Sequence, residues 1–304
     1  MGLLRADAAA VLSSSVRTAG IDGCTDLTVG VLSYRAHRTL ERTLASHRAS
    51  GLVDLPARYF VYFNAVDDAD RRLAERWGVE AVGAPANGGI YGGFRGIAEH
   101  ARTGHLLVLE NDIEAIAEPE PTARCLRTAL ADMRREDIPV FGLRSRARPR
   151  QGIGGAEKFA RCYGVEEPLH PGIAARRATL WERLVMRRKH LTLERFLGNA
   201  VYMEAAPERR FPHAWRRLPS GNLVTSSRYR NWSNQAVLVR RDFLLNVVLA
   251  RTESHPDRRT INGAQDIERA LNRPWWRRQA IAMGHARDGV FTHARLPDDA
   301  TPRA

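Results

Sequence analysis

The sequence is poor in cysteine and almost without lysine. Its three cysteines, Cys24, Cys125 and Cys162, are far apart and show neither CxxC nor zinc-finger spacing. This argues against a disulfide framework and a structural zinc site, and it fits a reducing compartment. Only two of the 47 basic residues are lysines, so arginine supplies most of the positive charge behind a net charge of +13. That charge favours phosphate-bearing partners without choosing among nucleotides, nucleic acid and an anionic membrane.

Long hydrophobic runs are also missing. The longest apolar run near the C-terminal half, 243–250, contains Asn246 and is too short to cross a bilayer. The apolar stretch at the N-terminus is broken by Asp7 and lacks a basic leader, so we expect no secretory signal. Ala6 breaks the myristoylation pattern. We therefore expect a cytoplasmic protein that stays in solution or lies on the inner face of a membrane.

Two nucleotide-binding fingerprints are absent. The dinucleotide-binding fingerprint G-x-G-x-x-G does not follow the first predicted strand, and the P-loop motif G-x-x-x-x-G-K-[ST] does not occur. Short apolar runs alternate with helical patterns instead. The predicted strands are 27–33, 58–63, 79–82, 105–109 and 139–143, and the predicted helices are 37–48, 67–77, 90–102 and 120–135. This alternation predicts an α/β fold with a mostly parallel sheet flanked by helices.

Beyond residue 145 the alternation stops. A basic loop follows the fifth strand, and residues 174–197 predict one long basic amphipathic helix. A further strand at 235–239 and helices at 242–251 and 264–272 are weaker predictions. We divide the chain into a leader over 1–25, an α/β half over 26–145, and an irregular, mainly helical half over 146–304 packed on the same core.

Polar and glycine-rich segments follow the first three strands. Ser33 and Arg35 end the first, Asn64 ends the second, and Asn87-Gly-Gly-Ile-Tyr-Gly-Gly93 follows the third and opens a helix. Ligands bind beyond the carboxyl ends of strands in open α/β sheets. Glycines at a helix N-terminus allow a backbone to approach a phosphate or sugar closely. An ordinary turn with close helix packing is the alternative.

An acidic segment, Glu110-Asn111-Asp112, follows the fourth strand. Carboxylates at the end of a buried strand need a partner, and a hard divalent cation that bridges phosphate oxygens is a common one. A helix cap or a surface turn is the alternative, because further glutamates continue the acidic run.

Together these motifs resemble those of a known family. Residues 27–116 resemble the donor-binding half of family-2-type glycosyltransferases with the GT-A fold, especially the bacterial rhamnosyltransferase-like branch. The segment 87–97 resembles the family's Asn-x-Gly-x-x-Gly-Gly-Asn-x-Gly-Ile stretch, and 107–114 resembles its metal-binding acidic motif. Phe94 replaces a common Asn, and Glu110-Asn-Asp replaces the more frequent Asp-x-Asp.

The resemblance assigns roles to particular residues. The donor-binding residues that it implies are Ser33, Arg35, Asn64, Asn87, Gly89 and Asn111. Asp112 would be the main ligand of Mn²⁺ or Mg²⁺, assisted by Glu110, and His293 stands where some GT-A enzymes have a third ligand. Asp266 matches the Asp of the family's Glu-Asp motif, which is the catalytic base of inverting members. A carboxylate at a helix N-terminus is the alternative for Asp266, and an ordinary histidine is the alternative for His293.

The resemblance thus implies a metal-dependent transfer of a sugar from a nucleotide sugar to an acceptor hydroxyl, with a carboxylate as the base and inversion of the anomeric configuration. The acceptor would be a glycan or a lipid-linked molecule in bacterial surface glycan or glycolipid synthesis. Residues 26–145 would bind the nucleotide sugar and 146–304 the acceptor. The basic stretch 176–195 either rests on an anionic membrane or forms a solvated face.

Two other functions compete with this one. A sugar nucleotidyltransferase needs a glycine-rich basic loop after the first strand, and residues 33–37 contain no glycine. A nucleic-acid-binding protein would use the net charge of +13, but no recognisable motif occurs and the arginines are spread along the chain. We therefore expect no nucleic acid among the partners.

Overall fold

The computed structural model describes residues 24–150, 154–190, 193–257, 260 and 264–294. Most of the leader expected over 1–25 lies outside the described residues. Leu191, from the predicted basic helix, and Gly263, from the loop before Asp266, also lie outside them.

The first half alternates strand and helix, as predicted. Its elements are β1 (Leu27–Ser33), α1 (His37–Ala49), a 3₁₀ turn (Leu52–Asp54), β2 (Arg58–Phe63), α2 (Asp68–Arg76), β3 (Glu80–Gly83), α3 (Gly89–His100), β4 (His105–Glu110), β5 (Ile113–Ala115), α4 (Pro119–Arg135) and β6 (Val140–Gly142). The expected cap of α2 is present, because Asp67 and Asp70 form a reciprocal capping box.

The second half carries more strands than its sequence pattern predicts. Its elements are α5 (Gly154–Tyr163), α6 (Leu180–Lys189), a 3₁₀ helix (Glu194–Tyr202), α7 (Pro207–Arg210), β7 (Arg216–Arg217), β8 (Leu223–Ser226), β9 (Val237–Arg240), α8 (Arg241–Phe243), a π-helix (Leu244–Leu249), α9 (Ala250–Ser254), α10 (Ile267–Leu271), α11 (Pro274–Gln279), β10 (Ala282–His285) and β11 (Phe291–His293). Among the described helices, none is long and apolar enough to cross a membrane.

Within the described ranges, nine strands form one mixed sheet in the order β3-β2-β1-β4-β9-β6-β10-β8-β7. Strands β3, β2, β1 and β4 are parallel, and β9 runs antiparallel between β4 and β6. Strand β10 is parallel to β6, while β8 and β7 complete the sheet in antiparallel pairs. The α/β sheet flanked by helices is confirmed, and its centre joins strands from both halves of the chain.

Both faces of the sheet are buried under helices. Alternate strand residues serve opposite faces, so Leu107 packs in the core with residues of α1, α2 and α4, and Leu106 in the core with residues of α3. A third core joins α5, α6 and the 3₁₀ helix around Phe159 and Trp215. Because β1 is parallel to both β2 and β4, the carboxyl ends of these three strands meet at one edge of the sheet.

The single long helix predicted over 174–197 is wrong. Arg176 is in extended backbone, because its N–H and C=O both bond to Val165. Helix α6 begins only after Thr179, whose side chain forms a capping box with Glu182, and it ends at Lys189. The cap limits the helix to ten residues, of which only Met186 is buried.

Candidate active site

Three predicted site residues lie at adjacent strand ends. Ser33 ends β1, Asn64 follows β2, and Asp112 follows β4, with the Asn64 amide donating to the Ser33 carbonyl at 2.9 Å. Their exposures are only 1%, 4% and 7%. Yet Ser33 Oγ, Asn64 Oδ1 and Asp112 Oδ1 have no hydrogen-bond partner within the described part of the chain. Each unmet buried polar atom costs about 1–3 kcal/mol, so three together mark a place where ligand atoms would complete the bonding.

The glycine-rich turn after β3 packs against this edge. Asn64 Nδ2 donates to the Gly89 carbonyl at 3.0 Å, and the Gly89 amide donates to Asn87 Oδ1 at 2.9 Å. Gly89 has a φ of +62°, and a Cβ there would stand 2.2 Å from the Cβ of Ala264. Glycine is thus required twice over, by its backbone conformation and by contact with the segment before Asp266.

A two-stranded sheet brings Asp112 and His293 together. Strand β11 pairs with β5 so that His293 lies opposite Ile113, and His293 Nε2 is 3.0 Å from Asp112 Oδ2. Gln235 Nε2 lies 3.5 Å from His293 Nδ1, and Arg144 donates to Gln235 Oε1. With Gln235 donating to Nδ1, His293 donates through Nε2 to the Asp112 carboxylate. This leaves Oδ1 as the Asp112 oxygen available to a ligand.

The predicted metal ligands do not form a preassembled three-residue cluster. Within the ranges that the structure describes, no group of three or more His, Cys, Asp or Glu side chains is arranged to hold a metal ion. Glu110 ends β4 and is half-buried. Mg²⁺ is often held by one or two carboxylates together with substrate phosphates. The free Oδ1 of Asp112 fits a metal that takes most of its ligands from a bound diphosphate.

Arg35 and Asn111 lie at the same edge of the sheet, but their side chains do not bond to the three residues with unmet oxygens. Arg35 is exposed, has a φ of +48°, and holds its guanidinium 5.3 Å from the Tyr34 ring centroid. Asn111 is half-buried and contributes its carbonyl, which accepts from Thr43 Oγ1 at 2.6 Å. Among the described residues, neither side chain hydrogen-bonds to Ser33, Asn64 or Asp112.

Asp266 is the N-cap of α10, which agrees with the alternative interpretation of this residue as a carboxylate at a helix N-terminus. Its Oδ1 accepts from the Glu268 amide at 2.9 Å, and Oδ2 is 3.3 Å from Arg269 Nε. Glu268, two residues on, lines a cavity and accepts from the Asn234 amide at 2.9 Å. Burial raises the pKa of Glu268, and the nearby Asp266 charge adds to the rise. Two carboxylates in different environments thus occupy the start of this helix.

Two residues of this site, Arg144 and Gln235, were not predicted from the sequence. Arg144 follows β6, which is parallel to β4, so the rule about strand carboxyl ends would have found it. Gln235 precedes β9 and carries no local signal, because its position between Arg144 and His293 depends on distant strand pairing.

Comparisons with known proteins give similar structures but no related sequence. No family model and no curated protein match the chain. The mannosyltransferase PcManGT from Pyrobaculum calidifontis, in complex with GDP-Man and Mn²⁺, is similar at 12% identity and a TM-score of 0.47, over 90% of this chain and 57% of that one. S. aureus TarS 1-349 is similar at 12% identity and a TM-score of 0.45, over 90% of this chain and 62% of that one. The same TarS segment in complex with UDP-GlcNAc gives 11% identity and 0.46, over 92% and 62%. The chain therefore spans less than two thirds of the length of each of these similar chains.

Proposed function

We propose that this protein is a glycosyltransferase with the GT-A fold that moves a hexose-like sugar from a nucleotide sugar to an acceptor hydroxyl. The observation that carries the proposal is the group of three unmet buried oxygens, on Ser33, Asn64 and Asp112, at adjacent strand ends. We assign it to the rhamnosyltransferase-like branch of family-2-type enzymes, acting in bacterial surface glycan or glycolipid synthesis. The motifs at 87–97 and 107–114 support this assignment.

On the donor side, Ser33, Asn64 and Arg35 contact the nucleoside. Asn87 and Gly89 border the sugar or its phosphates, with Asn111 beside them. In this proposal the half 26–145 binds the donor and the half 146–304 binds the acceptor.

A divalent ion, Mn²⁺ or Mg²⁺, would be held at this site through Oδ1 of Asp112. When bound, it supplies charge neutralisation for the leaving diphosphate. Glu110 and His293 are the further candidate ligands. His293 already orients Asp112 through Oδ2, so direct ligation by Nε2 requires that hydrogen bond to open.

The transfer is a single displacement. The acceptor oxygen attacks the anomeric carbon, the bond from that carbon to the diphosphate oxygen breaks, and the nucleoside diphosphate leaves. The acceptor proton passes to Asp266, whose segment packs against the Gly89 turn through Ala264. Attack from the face opposite the leaving group inverts the anomeric configuration.

Helix α6 supports a peripheral position on the inner face of an anionic membrane. Leu180, Trp181 and Leu184 are 85%, 71% and 52% exposed and share one helix face by their spacing. Arg187 and Arg188 extend the same face by one turn and are exposed. Exposed apolar side chains beside cations are complementary to anionic headgroups over acyl chains.

The test is a thermal-shift panel of UDP-, GDP- and dTDP-sugars with and without Mn²⁺ or Mg²⁺. A bound nucleotide sugar raises the melting temperature of the wild type, because it binds the native state. Asp112→Ala should remove the metal-dependent part of this rise. Undiminished metal dependence in Asp112→Ala would contradict the metal assignment, and no shift with any nucleotide sugar in the wild type would contradict the function.

A further inference from the structure

A positively charged cavity of about 260 Å³ opens between the 3₁₀ helix Glu194–Tyr202 and α10. The charged side chains in its lining are Arg144, Lys158, Arg195, Arg230 and Glu268. Four cations therefore face one carboxylate. The Asn199 and Ser233 side chains add neutral hydrogen-bonding groups to the wall.

One carboxylate does not balance the charge of these four side chains. Within the described residues, Lys158, Arg195 and Arg230 form no ion pair with a carboxylate. Nε of Arg195 is buried without a hydrogen-bond partner in that part of the chain. Burial lowers the pKa values of Arg195 and Arg230, since their charged forms lose contact with water. Arg144 is buried and Arg195 and Arg230 are half-buried, so gathering these like charges around a single carboxylate is unfavourable, and a bound anion would relieve that cost.

The cavity adjoins the proposed transfer centre on the acceptor side. Arg144 reaches it from the chain of hydrogen bonds that runs through Gln235 and His293 to Asp112. Glu268 reaches it from the first turn of α10, two residues after Asp266. The unmet oxygens of Ser33 and Asn64 lie outside its lining, so the cavity is separate from the nucleoside side.

We propose that this cavity binds a phosphoryl group carried by the acceptor, an inference that rests on the proposed glycosyl transfer. Arginine guanidinium groups offer paired N–H donors that match phosphate oxygens, and a neighbouring lysine adds a point charge. The phosphoryl group belongs either to a lipid carrier or to a soluble glycan. Held here, it anchors the acceptor beside Asp112 and Asp266.

Equilibrium binding of three probes tests the proposal: inorganic phosphate, glucose 6-phosphate, and a polyprenyl phosphate in neutral detergent micelles. Lys158→Gln and Arg195→Gln should each weaken binding by roughly ten- to hundredfold, because each removes a charge-assisted contact to phosphate. Arg161→Gln is the matched control. It removes one positive charge from α5, the helix that carries Lys158, at an exposed position outside the cavity. The Arg161→Gln variant should bind the three probes with the affinities of the wild type.

Nucleotide-sugar binding separates this proposal from the proposed function. Lys158→Gln and Arg195→Gln should retain it, whereas Asp112→Ala should retain phosphate-probe binding. Unchanged phosphate affinity in both cavity variants, or its loss in Asp112→Ala alone, would overturn the proposal. Binding of inorganic phosphate without either ester would contradict the acceptor assignment. If the wild type binds the esters through the cavity but binds no nucleotide sugar, the proposed glycosyltransferase function is contradicted and the phosphoryl site is retained. The ester that binds more tightly identifies the lipid or the glycan as the source.

Discussion

Asp266 and Glu268 show how two carboxylates of one short helix acquire different properties. Asp266 is held by the helix that it caps and by Arg269, whereas Glu268 lies on the cavity wall with a raised pKa. A general base must reach the acceptor hydroxyl, and positioned bases contribute about 10²–10⁴-fold to the rate. Sequence spacing alone cannot assign that role to one of them.

Asp266→Asn should reduce transfer by about 10²–10⁴-fold with donor affinity nearly unchanged. Asparagine is as good an N-cap as aspartate, so the helix is preserved while the basicity is lost. Steady-state kinetics and calorimetric donor binding measure the two effects. Glu268→Gln is the comparison variant, because glutamine keeps an oxygen for the Asn234 amide. An inactive Glu268→Gln beside an active Asp266→Asn would move the base to Glu268. Retention of the anomeric configuration would exclude a single displacement.

At the scale of elements, α6 is short, basic and apolar on its outer face. Its exposed Trp181 lies outside all three cores, while Met186 on the opposite side is buried. Such a helix is stable because it is packed at one face, and it leaves the other face free for an interface.

The double variant Arg187→Gln/Arg188→Gln should weaken partitioning onto anionic vesicles by roughly tenfold or more, since each basic residue near such a surface contributes about 1 kcal/mol. Co-sedimentation with vesicles containing phosphatidylserine measures it, with phosphatidylcholine vesicles as the reference. The matched control is Arg71→Gln/Arg72→Gln, which removes two exposed charges from α2. Equal, negligible binding to both vesicle types would exclude membrane docking, and concentration-dependent dimerisation lost in the α6 variant would assign the face to a second copy.

Local elements were predictable because their signals are local. The first strand was placed at 27–33 and α1 began at residue 37 as predicted, since apolar runs and helical periodicity need no distant partner. The overlong helix at 174–197 was avoidable, because Thr179-x-x-Glu182 is a readable capping signature. The place of β9 in the sheet and the Asp112–His293 contact were not readable, because both depend on pairing between distant segments.

At the scale of the molecule, buried histidine links stability to pH. His47 is fully buried, its Nε2 donates to the Ile113 carbonyl at 2.9 Å, and Tyr59 donates to Nδ1 at 2.7 Å. Burial lowers the pKa of His47 from 6.5 to about 4. Between those values the unfolded chain binds a proton that the folded chain does not, so stability falls as the pH falls.

Lowering the pH from 7 to 4 should reduce the free energy of unfolding by about 3 kcal/mol through His47, because each unit of its pKa shift corresponds to 1.36 kcal/mol. Denaturant titrations at several pH values measure the loss. His47→Gln, which keeps a donor and an acceptor, should show a smaller loss over this window. His213→Gln, at an exposed position, should behave like the wild type. Equal slopes in all three proteins would contradict the assignment to His47.

The antiparallel β9 between β4 and β6 also has a consequence for biosynthesis. Strand β4 leaves the ribosome about 130 residues before β9, which at roughly 5–20 residues per second is a delay of about 6–25 s. During that interval one edge of β4, whose central residues 106–109 are apolar, has no partner, and unpaired edges of this kind recruit other chains. The nascent chain therefore passes through a window in which chaperone capture or self-association competes with folding. That window closes only when Val237–Arg240 emerges and pairs with both β4 and β6.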